Sequence, residues 1–215
     1  MAQIIDMLSV LSADEFKYLK FFEYKTNDII HFQDDECKGI DILVHGEIKM
    51  SNIDINGNET TFNYLNAPNI FGNNLIFSTS KKYMGDVIAM SNVSLYRIDQ
   101  DCLLFLLKSN DKFLKLYLMI IANKSIELSS RLRIMAINNT YKRVYSYILF
   151  RINSNNGVYN VKSITNLASE LSLPRETVSR IVSKLVREEK ITYTNKQFKI
   201  TKNALELMGT QFPRH

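Results

Sequence analysis

Arg175, Glu176, Ser179 and Arg180 fall within six consecutive residues, and together they carry the chemistry of base reading. A guanidinium presents a planar fork that bonds guanine O6 and N7 at once, and a carboxylate accepts from cytosine N4. On a helix these four side chains span about one and a half turns and would face adjacent base pairs of a major groove. Ser163 and Thr177 stand near the starts of two helical stretches. There a hydroxyl and free backbone amides can bond phosphate oxygens.

The elements that must hold these residues are legible on either side. Ile164, Leu167, Ala168 and Leu171 make one short apolar face, with Ala168 small enough for two helices to cross closely. Ser172-Leu173 reads as a turn, and Pro174 pre-sets φ where a helix begins. Val178, Ile181, Val182 and Leu185 form a second inward face. The pattern is a helix-turn-helix whose recognition helix runs from 174 to 187. Ser172 takes the turn position usually held by Gly, where positive φ costs a side chain some strain. Ile191 to Tyr193 and Gln197 to Ile200 flank Thr194-Asn195-Lys196 as a small β-hairpin wing. Residues 139–215 carry 13 Lys and Arg against 5 Asp and Glu, whereas residues 1–138 carry 14 against 17. A basic last third joined to a mildly acidic first part suits a polyanion partner. The alternative is an exposed, salt-bridged helix that only solvates its domain.

Upstream, Ile4, Ile5, Leu8 and Leu11 recur at helical spacing, Ser12-Ala13-Asp14-Glu15 looks like a second helix start, and helical texture runs to Tyr24. Short apolar runs then follow: Ile29-Ile30, Ile40 to Val44, Ile48 to Met50, Thr60 to Leu65, Val87 to Met90 and Val93 to Ile98. Turn clusters separate them, with Asn56-Gly57 a strong hairpin signal. This predicts an antiparallel sandwich or roll. From Asp99 the period turns helical. Leu114, Leu118, Ile121, Ser125, Leu128, Leu132 and Met135 alternate by four and three, the a/d seam of two paired helices. A core helix packed on its own domain would show a similar stripe. Asn138-Asn139-Thr140 breaks the pattern as a hinge, and Ser154-Asn155-Asn156-Gly157 reads as a loop.

Composition narrows the remaining classes. The chain has 215 residues, with 46% hydrophobic and 23% charged, an ordinary globular balance. Two cysteines, Cys37 and Cys102, cannot supply the four thiolates of a zinc or iron–sulfur site. The longest apolar run, Leu116 to Ala122, is far short of a membrane span, and the first residues lack the basic region of a signal peptide. A cytoplasmic protein without membrane association is expected. No Walker loop, His-Glu-x-x-His, Gly-x-Ser-x-Gly or paired-histidine spacing occurs, so no enzyme is expected and no metal site is assigned.

Arg-Glu-Thr-Val-Ser-Arg at 175–180, with the wing, the long upstream helix and the roll, resembles the Crp/Fnr superfamily of bacterial transcription regulators over nearly the whole chain. Ile42-Leu43-Val44-His45-Gly46-Glu47-Ile48 resembles the family's strand–turn–strand with its structural glycine. Asp54 to Thr60 resembles its hairpin, and Asn69-Ile70-Phe71-Gly72 resembles the start of its phosphate cassette. The resemblance implies an α+β fold in three parts: an N-terminal antiparallel β-roll over 1–108, a dimerisation helix and hinge over 109–138, and a C-terminal winged helix-turn-helix over 139–215. It implies a homodimer reading a palindromic operator, with half-sites related to TGTGA and TTGA, and RNA polymerase as a further partner. Arg175, Glu176 and Arg180 would read bases, with Ser179 a further contact.

The sensor half departs from the ligand-binding members. Gly72 is kept, but the family's Glu position is Asn73 and its Arg-Ser positions fall at Tyr83-Met84, with Lys81 and Lys82 reading as loop lysines. The polar pair that meets adenine falls at Leu128-Ser129. Cyclic nucleotide is therefore not expected, nor is a haem on His31 or His45, nor a cluster, and the effector is unknown or absent. Acidic neighbours Asp34, Asp35 and Glu36 would raise the Cys37 thiol pKa, and Cys102 is expected to be buried. A second function class stays open: a ligand- or redox-responsive signalling adaptor whose basic domain docks an acidic protein.

Overall fold

Ser12 accepts from the Glu15 amide and Glu15 reaches back to the Ser12 amide, a closed capping box. It starts α2 (Ala13–Phe16), after α1 (Ala2–Ser9). In this computed structural model, which describes residues 2–53, 59–155 and 157–201, the chain folds as two units, 1–125 and 126–215.

Among the described residues the first unit holds eight strands: β1 (Lys20–Tyr24), β2 (Ile29–His31), β3 (Gly39–His45), β4 (Glu47–Ile53), β5 (Glu59–Asn66), β6 (Asn69–Phe71), β7 (Asp86–Ala89) and β8 (Val93–Asp99). Every pairing is antiparallel, in two sheets ordered β1-β8-β3-β6 and β2-β7-β4-β5. Period-two burial follows the pleat at Val93 and Leu95 of β8 and at Val87 and Ala89 of β7, and Ile98 is buried out of that phase. The central strand β3 is buried along Gly39 to Leu43 on both faces, because α3 (Gln100–Ser109) packs Leu103 and Leu106 into the same core. Gly39 is required there, since a Cβ would lie 2.4 Å from the Ile98 carbonyl oxygen.

Two expectations change. Lys20–Tyr24 is a strand rather than helix, because Phe22 and Tyr24 alternate inward against β8. Cys102 is only half-buried at the start of α3. The Asn56-Gly57 turn lies outside the described residues, though β4 and β5 pair up to Ile53 and Glu59 on either side of it.

Asn110 caps α4 (Asp111–Met135), its side chain accepting from the Phe113 amide at 3.0 Å. Phe113, Tyr117 and Ile120 on one face of α4 are buried in the roll's core. The 4,3-spaced stripe runs beside that face. On it Leu118, Leu128 and Leu132 are 54%, 60% and 63% exposed, and Ser125 is exposed. Leu114, Ile121 and Met135 are half-buried.

In the second unit Asn139 caps α5 (Thr140–Ser154) by accepting from the Lys142 amide at 2.9 Å. Then come β9 (Tyr159–Asn160), α6 (Ile164–Glu170), α7 (Arg175–Arg187), β10 (Ile191–Thr194) and β11 (Gln197–Ile200). The three strands form one sheet ordered β10-β11-β9. Val144, Tyr147, Ile148, Leu167, Leu171, Val178, Val182, Leu185 and Phe198 share its core.

Candidate nucleic-acid interface

Ala168 is buried and Leu171 fully so where α6 turns toward α7. The α6 helix stops in a Schellman arrangement: the Leu173 amide donates to the Ala168 carbonyl and the Ser172 amide to the Ser169 carbonyl, both at 3.0 Å. Such a stop needs a left-handed residue, and Ser172 supplies it at φ 52°. Ser172→Gly should therefore raise stability by about 0.5 kcal/mol and Ser172→Val should lower it by about 1–2 kcal/mol; urea unfolding of the two variants measures both. Pro174 immediately precedes α7 rather than beginning it. Its carbonyl accepts the first helical bond, from Val178 at 3.2 Å.

Val178, Val182 and Leu185 hold α7 from inside, with Ile181 partly buried beside them. Arg175, Glu176, Ser179 and Arg180 are all exposed. At 100° per residue they occupy an arc of about 140° on the opposite side, over the helix's first two turns. Ser183 lies on the same arc and is exposed; sequence reasoning passed over it, although it sits four residues beyond Ser179. Lys184 is drawn aside, its ammonium 5.2 Å from the Tyr141 ring centre and 3.8 Å from Glu188. The amides of Arg175, Glu176 and Thr177 precede the first helical hydrogen bond, and no side chain caps α7. An oxyanion approaching that end meets donors and the positive pole of a 13-residue helix.

The two phosphate candidates differ. Thr177 is half-buried in the first turn of α7. Ser163 caps α6, its hydroxyl accepting from the Asn166 amide at 3.1 Å and donating to Asn166 Oδ1 at 2.8 Å. That donor is engaged within the protein. The wing closes at Asn195 and Lys196, with φ of 50° and 59°, the two left-handed residues of a type I′ turn.

In the roll, Gly72 has φ 77°, and a Cβ there would lie 2.9 Å from the Gly39 carbonyl oxygen. Asn73 is nearly buried. Lys124 of α4 donates to the Ile70 carbonyl and lies 3.3 Å from Asn73 Oδ1, so a lysine of the chain itself bonds into the cassette. Tyr83 turns inward and stacks on His31, ring centres 4.3 Å apart and 15° from parallel. His31 Nε2 is 2.5 Å from Asp41 Oδ2, and Arg97 donates to Asp41 Oδ1 at 2.6 Å. His31 is thus bound into a buried polar network on β2, β3 and β8, while His45 ends β3. The Cys37 thiol is buried and bonded to the Gly39 carbonyl at 3.1 Å. Its pKa is raised by burial, which corrects the acidic-neighbour account: the direction stands and the cause is desolvation. Among the described residues no group of three His, Cys, Asp or Glu side chains could hold a metal, and no helix is long and apolar enough to cross a membrane.

Comparison with known proteins places this geometry. Residues 21–110 match the cyclic nucleotide-binding domain family. The HTH-type transcriptional regulator ArcR of Staphylococcus epidermidis is 25% identical over 181 residues, covering 80% of this chain and 77% of that protein. A double variant of CooA from Carboxydothermus hydrogenoformans superposes with a TM-score of 0.74 at 13% identity, over 97% of this chain and 95% of that one. TTHB099, a CRP-family transcriptional regulator from Thermus thermophilus, superposes with a TM-score of 0.58 at 15% identity, over 90% of this chain and 98% of that one. A cyclic nucleotide-binding-type roll, a long helix and a winged helix-turn-helix follow one another in this chain as in those structures, so the chain shares their fold across nearly its full length, and its roll matches the cyclic nucleotide-binding domain family.

Proposed function

We propose that the chain is a DNA-binding transcription regulator acting as a homodimer. Each recognition helix reads one half-site of a palindrome through Arg175, Glu176, Ser179 and Arg180. The observation that carries this reading is the exposed arc of those four side chains on the outer face of α7, at the uncapped end of the helix. Two forks and a carboxylate that solvated a surface would be expected to engage neighbouring charges. Among the described residues none of the four takes part in an ion pair. The exposed leucines of α4 supply the seam for a second copy, and reading a palindrome requires two α7 helices about one turn of DNA apart, roughly 34 Å. RNA polymerase is the expected further partner, and the cytoplasm the expected compartment.

The cassette supports operation without cyclic nucleotide, haem or cluster. Where a ligand-binding member would present Glu and Arg, this chain has Asn73, already bonded by Lys124, and Tyr83, packed against His31. Selection of random duplexes by the purified, ligand-free protein tests the reading. The expected result is an enriched palindrome, at least about a thousandfold preferred over non-specific DNA. Binding without sequence preference would favour the adaptor reading instead.

A further inference from the structure

Glu170, the last residue of α6, accepts on one carboxylate oxygen from the Tyr147 and Tyr159 hydroxyls. Both phenols are buried. Burial, then the Glu170 charge, pushes their pKa values up, so they remain protonated donors. The Arg151 guanidinium of α5 lies over the Tyr159 ring at 5.0 Å, near enough for its charge to interact with that of Glu170. Its Nη1 is 3.8 Å from Glu127 of α4, beyond hydrogen-bond length. Its Nε is buried with no hydrogen-bond partner among the described residues. One cation therefore lies near a carboxylate on the long helix without bonding it, and reaches the carboxylate on the first helix of the helix-turn-helix through the Tyr159 ring, whose hydroxyl bonds Glu170.

We infer that Arg151 is a positioning residue: by holding its guanidinium on the Tyr159 ring beside Glu127 it links the position of α4 to Tyr159 and, through the Tyr159 hydroxyl on Glu170, to the seating of α6 and so of α7. A displacement of Glu127 by about 1 Å is enough to make or lose a charge-assisted bond. The planar guanidinium suits this role, because it can stack on the Tyr159 ring and still offer a donor to Glu127. Ala168 and Leu171 pass the seating of α6 to Val178 and Val182, which share their core. The inference rests on the regulator reading above and adds to it the residue that holds both recognition helices in register. With the link intact, a dimer meets the second half-site already aligned. Without it, each DNA-binding unit still reads a half-site but loses the advantage of binding two.

The test measures affinity of the full chain for the selected palindrome and for a duplex carrying one half-site. Wild type is compared with Glu127→Gln, Arg151→Lys and the double variant. Glu127→Gln and Arg151→Lys should each weaken palindrome binding about tenfold while leaving half-site affinity unchanged. The double variant should be no worse than Arg151→Lys alone. Equal palindrome affinity in wild type and Glu127→Gln overturns the inference. A parallel loss on the half-site overturns it too, because Arg151 would then only be supporting the fold. Glu127 is half exposed, so its substitution leaves the unit folded even if the Arg151 variant does not. A wild type without operator preference would instead remove the regulator reading, and this inference with it.

Discussion

Arg180→Ala should collapse sequence discrimination at one symmetry-related pair of operator positions while the protein remains folded. A bidentate arginine–guanine contact is worth about 1–3 kcal/mol of discrimination, and a symmetric dimer makes it twice, so the expected loss is about 2–6 kcal/mol on the full operator. The stability of the unit should not change, because Arg180 is exposed and the inward contacts of α7 run through Val178, Val182 and Leu185. Selection repeated with the variant reads the effect base by base, with discrimination collapsing at one symmetry-related pair of positions. An exposed lysine distant from the arc, such as Lys199 of β11, is the control. Its removal should weaken all DNA alike and lower the salt dependence. Retention of the same operator by Arg180→Ala would mean that the base readers lie elsewhere on the unit.

The second large effect is expected at Leu128, which is 60% exposed on the stripe of α4. Leu128→Asp leaves the chain's own cores untouched. In a symmetric helix pair it would place two carboxylates in the seam and remove two apolar contacts. Each buried leucine contributes about 1.5–3 kcal/mol, and an unpaired buried carboxylate costs several more. The variant should run as a monomer in light scattering at micromolar concentration, with palindrome affinity reduced to that of a single half-site. A dimer that survives the substitution would show that the stripe is not the interface.

How much of this was legible beforehand depends on how local each signal is. The two helices of the helix-turn-helix, the wing and the helix start at Ser12 are specified by neighbours a few residues apart, and they appear at the expected positions. Ser172 was read as a strained turn residue from its place alone, and its φ confirms the strain. Lys20–Tyr24 was misread because Phe21 and Phe22 follow directly on a helical stretch, and only pairing with β8, more than 70 residues on, reveals the alternation. Long-range partners were equally invisible. Nothing near Lys124 announces Asn73, and nothing near His31 announces Asp41 and Arg97. The thiol of Cys37 shows the same limit. Its acidic neighbours in sequence are not what surrounds it, and Gly39 and Gly72 are. Ser183 carries a weak signal for a different reason: a lone hydroxyl one turn beyond Ser179 is ordinary on any exposed helix face.

The lysine that bonds into the roll's cassette also constrains how the chain can be inherited. Positions 73 and 124 lie 51 residues apart yet cannot drift independently. A carboxylate arising at 73 while Lys124 remains would be neutralised by that ammonium and would be lost to any incoming hydroxyl. Loss of Lys124 first would remove its hydrogen bond from the Ile70 carbonyl. A carboxylate at 73 could therefore serve an incoming group only if 124 changed as well, and the first change brings no benefit by itself. The contact ties two distant positions to one another, so that neither is free to change alone.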